Sequence, residues 1–484
     1  MASRPLNVLW LVSDHQIHND PFSDSDLFPL QIYLTERGTC FTHARTALPI
    51  CSPARASMLT GLYPHAHGLT ENDGRFGGRA GLNSNDWLVS HSFQDAGYRC
   101  AWFGKWHLNN RLDATDFGYE GFSLPGYGYP YATARYRDYL RRRGLAKPVV
   151  TIELSGESGI PVGTDVSLCD EQNWFDFESG SACIKTEVEG HESYFLADLA
   201  TQWIEANRDE PFFLRVDPWG PHPPYCVAAP FDGMAKYSAM ELPNNFAHRL
   251  ETRPAHHRDY RDYWSGLLNY EKDDWRLLRT RALQHCAQVE TALLSVVKSL
   301  DRLDLAAQTL VVFTADHGDA VGSNGGVANK GGLLTEETVS IPLLISGPGV
   351  LPKQTNASLV SNVDLAPTLL EVCGLDVPSN MHGKSLLSIV SGAGSSVRQG
   401  LMAQHYGLHQ NVVQRAWYQE SWKYVVQSEG FEELYDLPVD PGEMINLALE
   451  KGSETTLKAM RGQLRCEMVR CNDLEENILS RLTE

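Results

Sequence analysis

Four short apolar runs, each emptying into polar residues, constrain the fold of this chain more than any other feature. Asn7-Val8-Leu9-Trp10-Leu11-Val12 ends at Ser13-Asp14, and residues 98–103 lead into Gly104-Lys105-Trp106-His107. Residues 212–216 precede the segment Pro218-Trp219-Gly220-Pro221-His222-Pro223-Pro224, and residues 309–314 precede Asp316-His317-Gly318-Asp319. Short apolar runs without alternation suit strands buried on both faces of a parallel sheet. Between them, apolar residues recur at helical spacing: Phe195, Leu196, Leu199, Trp203 and Ile204, then Leu283, Cys286, Val289, Leu293, Val296, Val297 and Leu300. Helices alternating with buried strands predict an α/β layered fold. Ligand sites in such sheets lie beyond the carboxyl ends of the strands, where Asp14, Lys105, His107, His222, Asp316 and His317 are expected to gather.

Residues 374–400 are rich in Gly, Ser and Pro and have no strong periodicity, which places a domain boundary there. The expected division is a catalytic α/β domain over 1–380 and a smaller C-terminal α+β subdomain over 381–484. Aromatic and β-branched residues over 412–427 suggest antiparallel strands in that subdomain, and a helix around 457–474 closes the chain. No stretch reaches about 18 consecutive apolar residues, so no membrane partner is expected. The first apolar run is too short for a signal-peptide core and has no cleavage site after it. The expectation is a cytoplasmic protein, or a periplasmic or secreted one if an export signal has been trimmed.

Charge narrows the partners. With 60 acidic against 41 basic residues, net −19, the surface disfavours nucleic acid and repels anionic ligands unless the site holds its own cluster of positive charge. Ten cysteines without paired spacing describe neither a disulfide framework nor a zinc site. Asn356-Ala357-Ser358 matches the glycosylation triplet but reads as an incidental surface loop.

Cys51 stands apart, in Cys51-Ser52-Pro53-Ala54-Arg55. A chance C-x-P-x-R match in a chain of this length has odds of roughly a few per cent. It continues through Ala56-Ser57-Met58-Leu59-Thr60-Gly61, Tyr63-Pro64-His65 and His67-Gly68. Alone, Cys51 reads equally well as a buried structural thiol, and Asp316 as a helix N-cap. Together these segments resemble the formylglycine-dependent (type I) sulfatases of the alkaline phosphatase superfamily. The resemblance runs from Asn7 to about Leu447, where Glu433-Leu434-Tyr435-Asp436, Asp440-Pro441-Gly442-Glu443 and Asn446-Leu447 are similar to that family's C-terminal signature. Lys105-Trp106-His107, Pro221-His222-Pro223-Pro224 and Asn329-Lys330-Gly331 also resemble its motif loops.

The resemblance implies an alkaline-phosphatase-like, mostly parallel central sheet flanked by helices, with a C-terminal antiparallel sheet and helix. It implies that a formylglycine-generating enzyme converts Cys51 to formylglycine (3-oxoalanine), and that Asp14, Asp316, His317 and the modified Cys51 hold Ca²⁺, with Mg²⁺ or Mn²⁺ as alternatives. Many relatives carry a second Asp after the first and an Asn in place of His317. Here Ser13-Asp14-His15-Gln16 and Asp316-His317 stand instead, and His15 either ligates or packs beside the site. Asp316 would deprotonate the attacking hydroxyl, Arg55 would hold the formylglycine hydrate, and Lys105 and Lys330 would bind sulfate oxygens. His222 would bind substrate and protonate the leaving alkoxide, His107 would release sulfate, and Asn72 would contact substrate.

The expected partner is a small-molecule or oligosaccharide sulfate ester. Aromatic loops at 119–131 and 174–177 favour a sulfated carbohydrate over an aryl or alkyl sulfate. Two other readings remain open: a phosphonate monoester or phosphodiester hydrolase of the same superfamily, and a non-catalytic binding protein with unmodified Cys51. Homo-oligomerisation is left open.

Overall fold

The computed structural model describes residues 5–17, 27–75, 77–170, 179–407 and 412–483. At its centre runs an eight-stranded sheet, ordered Gln354–Asn356, Gly38–Phe41, Leu343–Ser346, Thr309–Ala315, Asn7–Ser13, Phe212–Asp217, Arg99–Lys105 and Glu120–Leu124. The last five strands in that order are mutually parallel, and only Leu343–Ser346 runs against its neighbours. All four strands read from the sequence lie side by side in this parallel block.

Alternation along Asn7–Ser13 explains why the sheet is covered on both faces. Leu9 and Leu11 pack with the helices Pro29–Thr35, Glu192–Ala206 and Lys272–Arg302. Val8, Trp10 and Val12 point the other way, toward the helices Cys51–Thr60, Val89–Asp95 and Leu365–Val372. Successive strand side chains face opposite sides, so a continuous apolar run must have two partners. The long helix begins at Lys272, about three turns before the apolar stripe at Leu283 becomes readable. Its charged first turns are anchored by a Glu271/Asp274 capping box and by Trp275 and Leu278, which are buried.

A second four-stranded sheet, ordered Tyr225–Ala228, Ser181–Ile184, Val149–Leu154 and Asp165–Ser167, has no clear signal in the sequence. The C-terminal part forms an antiparallel sheet of Gly400–His405, Gln414–Gln419, Trp422–Gln427 and Glu432–Asp436, followed by the helix Glu454–Arg470. It does not stand apart from the rest. Leu457, Met460, Leu464 and Met468 of that helix share one apolar cluster with Ala47, Tyr63 and Val363, and Gln404 donates its backbone N–H to Ala47 O at 2.8 Å. Among the described residues no helix is long and apolar enough to cross a membrane.

Candidate active site

Register puts the polar residues together. Ser13 pairs with Ala315, so Asp14 and Asp316 leave adjacent strands at the same level. Gly104 pairs with Asp217, which brings Lys105 to the same edge. Gly104 has φ +121°, and a Cβ there would lie 1.9 Å from Asp217 O. Only glycine allows the two strands to end this close.

Cys51 is the first residue of the helix Cys51–Thr60, after an extended Ile50, and Arg55 lies one turn on along the same face. In the first turn Pro53 has no N–H and the Ala54 N–H is donated to Ile50 O at 3.0 Å, so the helix contributes its dipole rather than a cradle of free amides. Asn72, expected to touch substrate, is placed with its Oδ1 accepting the Ser52 N–H at 3.0 Å. Cys51 Sγ lies 3.2 Å from His317 Nε2. One ligand atom from each of Asp14, Cys51, Asp316 and His317 falls within 4.8 Å of the others, all buried.

This donor set fits a divalent cation. His317 Nδ1 donates to Gly318 O at 2.9 Å, which leaves the Nε2 lone pair facing the cluster, the tautomer a metal ligand needs. Asp14 is fully buried, and its Oδ1 has no hydrogen-bond partner. Burial, and then the facing Asp316, push the Asp14 carboxyl well above its usual range; a cation between the two would relieve that repulsion. Burial also opposes ionisation of Asp316, but His317, Arg55 and Lys105 outweigh it and hold that carboxyl well below its usual range. Carboxylate oxygens with one imidazole suit a hard or borderline metal.

Positive charge surrounds the cluster. Arg55 donates from Nε to Asp316 Oδ2 at 3.0 Å and from Nη1 to Asp217 Oδ2 at 2.7 Å, and its Nη2 lies 3.7 Å from Asp14 Oδ1. Lys105 Nζ donates to Asp14 Oδ2 at 2.5 Å. Lys330 is buried nearby: after burial itself, its charge helps depress the pKa of His15, His107, His222 and His317. His222 is anchored by Nδ1 donating to Pro223 O at 2.6 Å. His107 has φ +53°, and its backbone carbonyl accepts from Ser52 Oγ at 2.5 Å.

His15 packs rather than joining the donor cluster. Its ring meets those of His222 at 4.7 Å and His317 at 4.8 Å, and its Nε2 lies 3.2 Å from Asp319 Oδ2. Two contributors escaped the sequence reading, Asp217 and Arg215. Asp217 ends its strand as Asp14 and Asp316 end theirs, so the same rule could have found it. Arg215 sits inside a buried strand, sandwiched between the Trp10 and Trp102 rings at 4.3 Å each and paired with Asp217 at 2.9 Å; an arginine within an apolar run carries no local signal of that kind. Of the aromatic loop 119–131 read from the sequence, Tyr127 meets site residues, with its ring centroid 5.6 Å from that of His107 and 5.3 Å from that of His222. Tyr119 and Tyr131 are core residues, and the aromatic stretch 174–177 lies outside the described residues.

Comparison with known proteins gives the chain's family and fold. The sulfatase family model covers residues 7–375, and the model named for the C-terminal region of N-sulphoglucosamine sulphohydrolase covers 329–470. Arylsulfatase K of Mus musculus is 26% identical over 483 residues, spanning 92% of this chain and 76% of that protein. The uncharacterized sulfatase YidJ of Escherichia coli (strain K12) is 26% identical over 452 residues, spanning 91% and 82%. A solved structure in complex with its substrate D-glucosamine-2-N,6-O-disulfate superposes with TM-score 0.72 at 17% identity, covering 98% of this chain and 99% of that one. Phosphonate monoester hydrolase from Silicibacter pomeroyi superposes with TM-score 0.77 at 22% identity, covering 96% and 95%.

Proposed function

The chain belongs to the sulfatase family and is a sulfuric ester hydrolase, and from that premise we propose that it desulfates a carbohydrate sulfate monoester at the Cys51 site. The observation that carries this reading is the meeting of Cys51, Asp14, Asp316 and His317 within 4.8 Å, backed by Arg55, Lys105 and Lys330. A sulfate ester is an anion, so attack on it needs both a strong nucleophile and cations around its oxygens. When present, a divalent metal (Ca²⁺, with Mg²⁺ or Mn²⁺ as alternatives) would polarise a sulfate oxygen, and formylglycine at Cys51 would supply two hydroxyls on one carbon.

The chain's own residues divide the remaining work. Asp316, held ionised, accepts the proton of the attacking hydroxyl. Arg55 keeps that side chain and the carboxylates in register. Lys105 and Lys330 hold sulfate oxygens. Burial keeps His107 neutral, the form in which it takes a proton from the second hydroxyl and so frees sulfate. With Nδ1 tied to Pro223 O, His222 has Nε2 left to protonate the leaving alkoxide. Burial depresses its pKa first of all, so it is the bound sulfate's negative charge that would support its imidazolium form.

The carbohydrate assignment is supported by the N-sulphoglucosamine sulphohydrolase C-terminal match; the likeness to the neighbour solved with a sulfated glucosamine is one of fold. The phosphonate monoester hydrolase likeness is one of fold. A panel of sulfated sugars, aryl and alkyl sulfates, phosphonate monoesters and phosphodiesters tests the proposal. Sulfated sugars are expected to give the highest kcat/KM, and dominance of the phosphorus substrates would reverse the assignment.

A further inference from the structure

We propose that Tyr127 is a positioning residue that holds the Lys105 ammonium at the sulfate subsite through its ring face; this rests on the reading of Lys105 as a sulfate-binding group. Lys105 is fully buried, and Asp14 Oδ2, at 2.5 Å, is its ion-pair partner. The carboxylate fixes the ammonium at one contact only, and the Tyr127 ring adds a second that limits how the ammonium can swing about it. The ring centroid lies 4.4 Å from Lys105 Nζ, well inside the range of about 6 Å over which an aromatic face attracts a cation. The same ring meets His107 at 90° and His222 at 62°, so one side chain touches three of the groups placed around the sulfate.

The loop is built to deliver that ring. Gly126 and Gly128 bracket it with φ +62° and +80°, and a Cβ at Gly128 would lie 2.8 Å from Leu124 Cβ. Trp219 Nε1 donates to Tyr127 O at 2.6 Å, and Gly126 N–H donates to Asn109 O at 2.8 Å. The loop's other aromatics turn away. Tyr119 packs on Trp102, Phe122 on Phe195 and Tyr131 on Tyr136, while Tyr129 Oη donates to Leu168 O.

A residue that merely fills space would tolerate any side chain of similar size; one that holds a cation needs a π face. Inorganic sulfate binding to Tyr127→Phe and Tyr127→Leu, measured by calorimetry, separates the two roles. Tyr127→Leu is expected to weaken sulfate binding about tenfold while Tyr127→Phe stays within about threefold, with the same order in KM for the best sulfate ester. In a Lys105→Met background the difference between the two variants should vanish. Equal losses in both variants, or a Leu effect that persists without Lys105, overturns the inference; Tyr127→Met gives the same comparison if the Leu variant folds poorly. Sulfate affinity is read without turnover, so a parent protein that binds sulfate but cleaves no sulfate ester refutes the proposed function and not this inference.

Discussion

Arg55 balances the site's charge. One buried guanidinium reaches Asp316, Asp217 and Asp14; without it, three carboxylates would share a dry space. Truncating one partner of a buried ion pair typically costs about 3–5 kcal/mol, so Arg55→Ala should lower the unfolding free energy by that order, measured by urea unfolding. A loss below about 1 kcal/mol, the level of a surface pair, would contradict the burial argument. Arg55→Lys is not a rescue, because a single ammonium cannot reproduce the guanidinium fork. Cys51 differs in kind. It is small and starts a helix, so Cys51→Ala is expected to fold at a cost of about 1 kcal/mol and to lose turnover. Mass spectrometry of the parent Cys51 peptide should show loss of one sulfur and two hydrogens with gain of one oxygen, the change from thiol to aldehyde; an unmodified thiol with undiminished activity would eliminate the proposed nucleophile.

Among elements, the Asp316-His317 loop shows how the site is held. Gly318 N–H donates to Thr338 O at 2.9 Å, and a Cβ on Gly318 would lie 2.0 Å from Glu337 O. The loop is therefore pressed onto the short helix Glu336–Val339, which Arg45 and Lys423 clamp through Glu336. Gly318→Ala must push the loop away from that helix. Divalent-cation affinity by calorimetry should fall at least tenfold, and an unchanged affinity would show that the contact does not set the loop. Neighbouring loops store strain as well: His15, His107 and Asn329, all at the site, have φ between +53° and +65°, which non-glycine residues adopt only when their surroundings over-determine them. Of these loops, the sequence reading caught the motif residues and not their conformations, because backbone strain is set by what packs against a loop.

Taken whole, the molecule buries titratable groups of opposite response. Burial depresses His67 and His285 to about 3 and His256 and His382 to about 4, and raises Glu192 to about 8 and Glu290 to about 7. Below an unfolded value of 6.5 the unfolded chain takes up protons that the folded imidazoles refuse, so stability is lost on acidification. Above an unfolded value of 4.5 the folded carboxyls keep protons that the unfolded chain releases, so stability falls as pH rises toward 8. Below 6.5 these four imidazoles outweigh the two carboxyls; well above it only the carboxyls act. Calorimetry should find the highest Tm near pH 6.5, with Glu192→Gln flattening the alkaline limb, whereas a Tm climbing steadily to pH 9 would refute this balance. The shared cluster of Ala47, Tyr63 and Val363 with the C-terminal helix leads to a further expectation. A chain ended at residue 380 should aggregate rather than fold, and a soluble, cooperatively melting fragment would refute it.

The sequence by itself determined the parallel core and its site-bearing strand ends. A strand buried on two faces must be apolar along its length, and the polar residues that follow it have nowhere to go but the sheet's edge. It could not determine which strands would be neighbours or at what register, and these decide that Asp14 meets Asp316 and that Lys105 meets Asp14. Asp217 obeys the strand-end rule, and Tyr127 lies in the aromatic loop already legible in the sequence. Arg215 belongs to the site only through contacts made across the fold, held between Trp10 and Trp102 at sequence separations that no local pattern spans. The second sheet escaped for the same reason: its short strands are stabilised by pairing and by the long helix beneath them, not by any periodicity of their own.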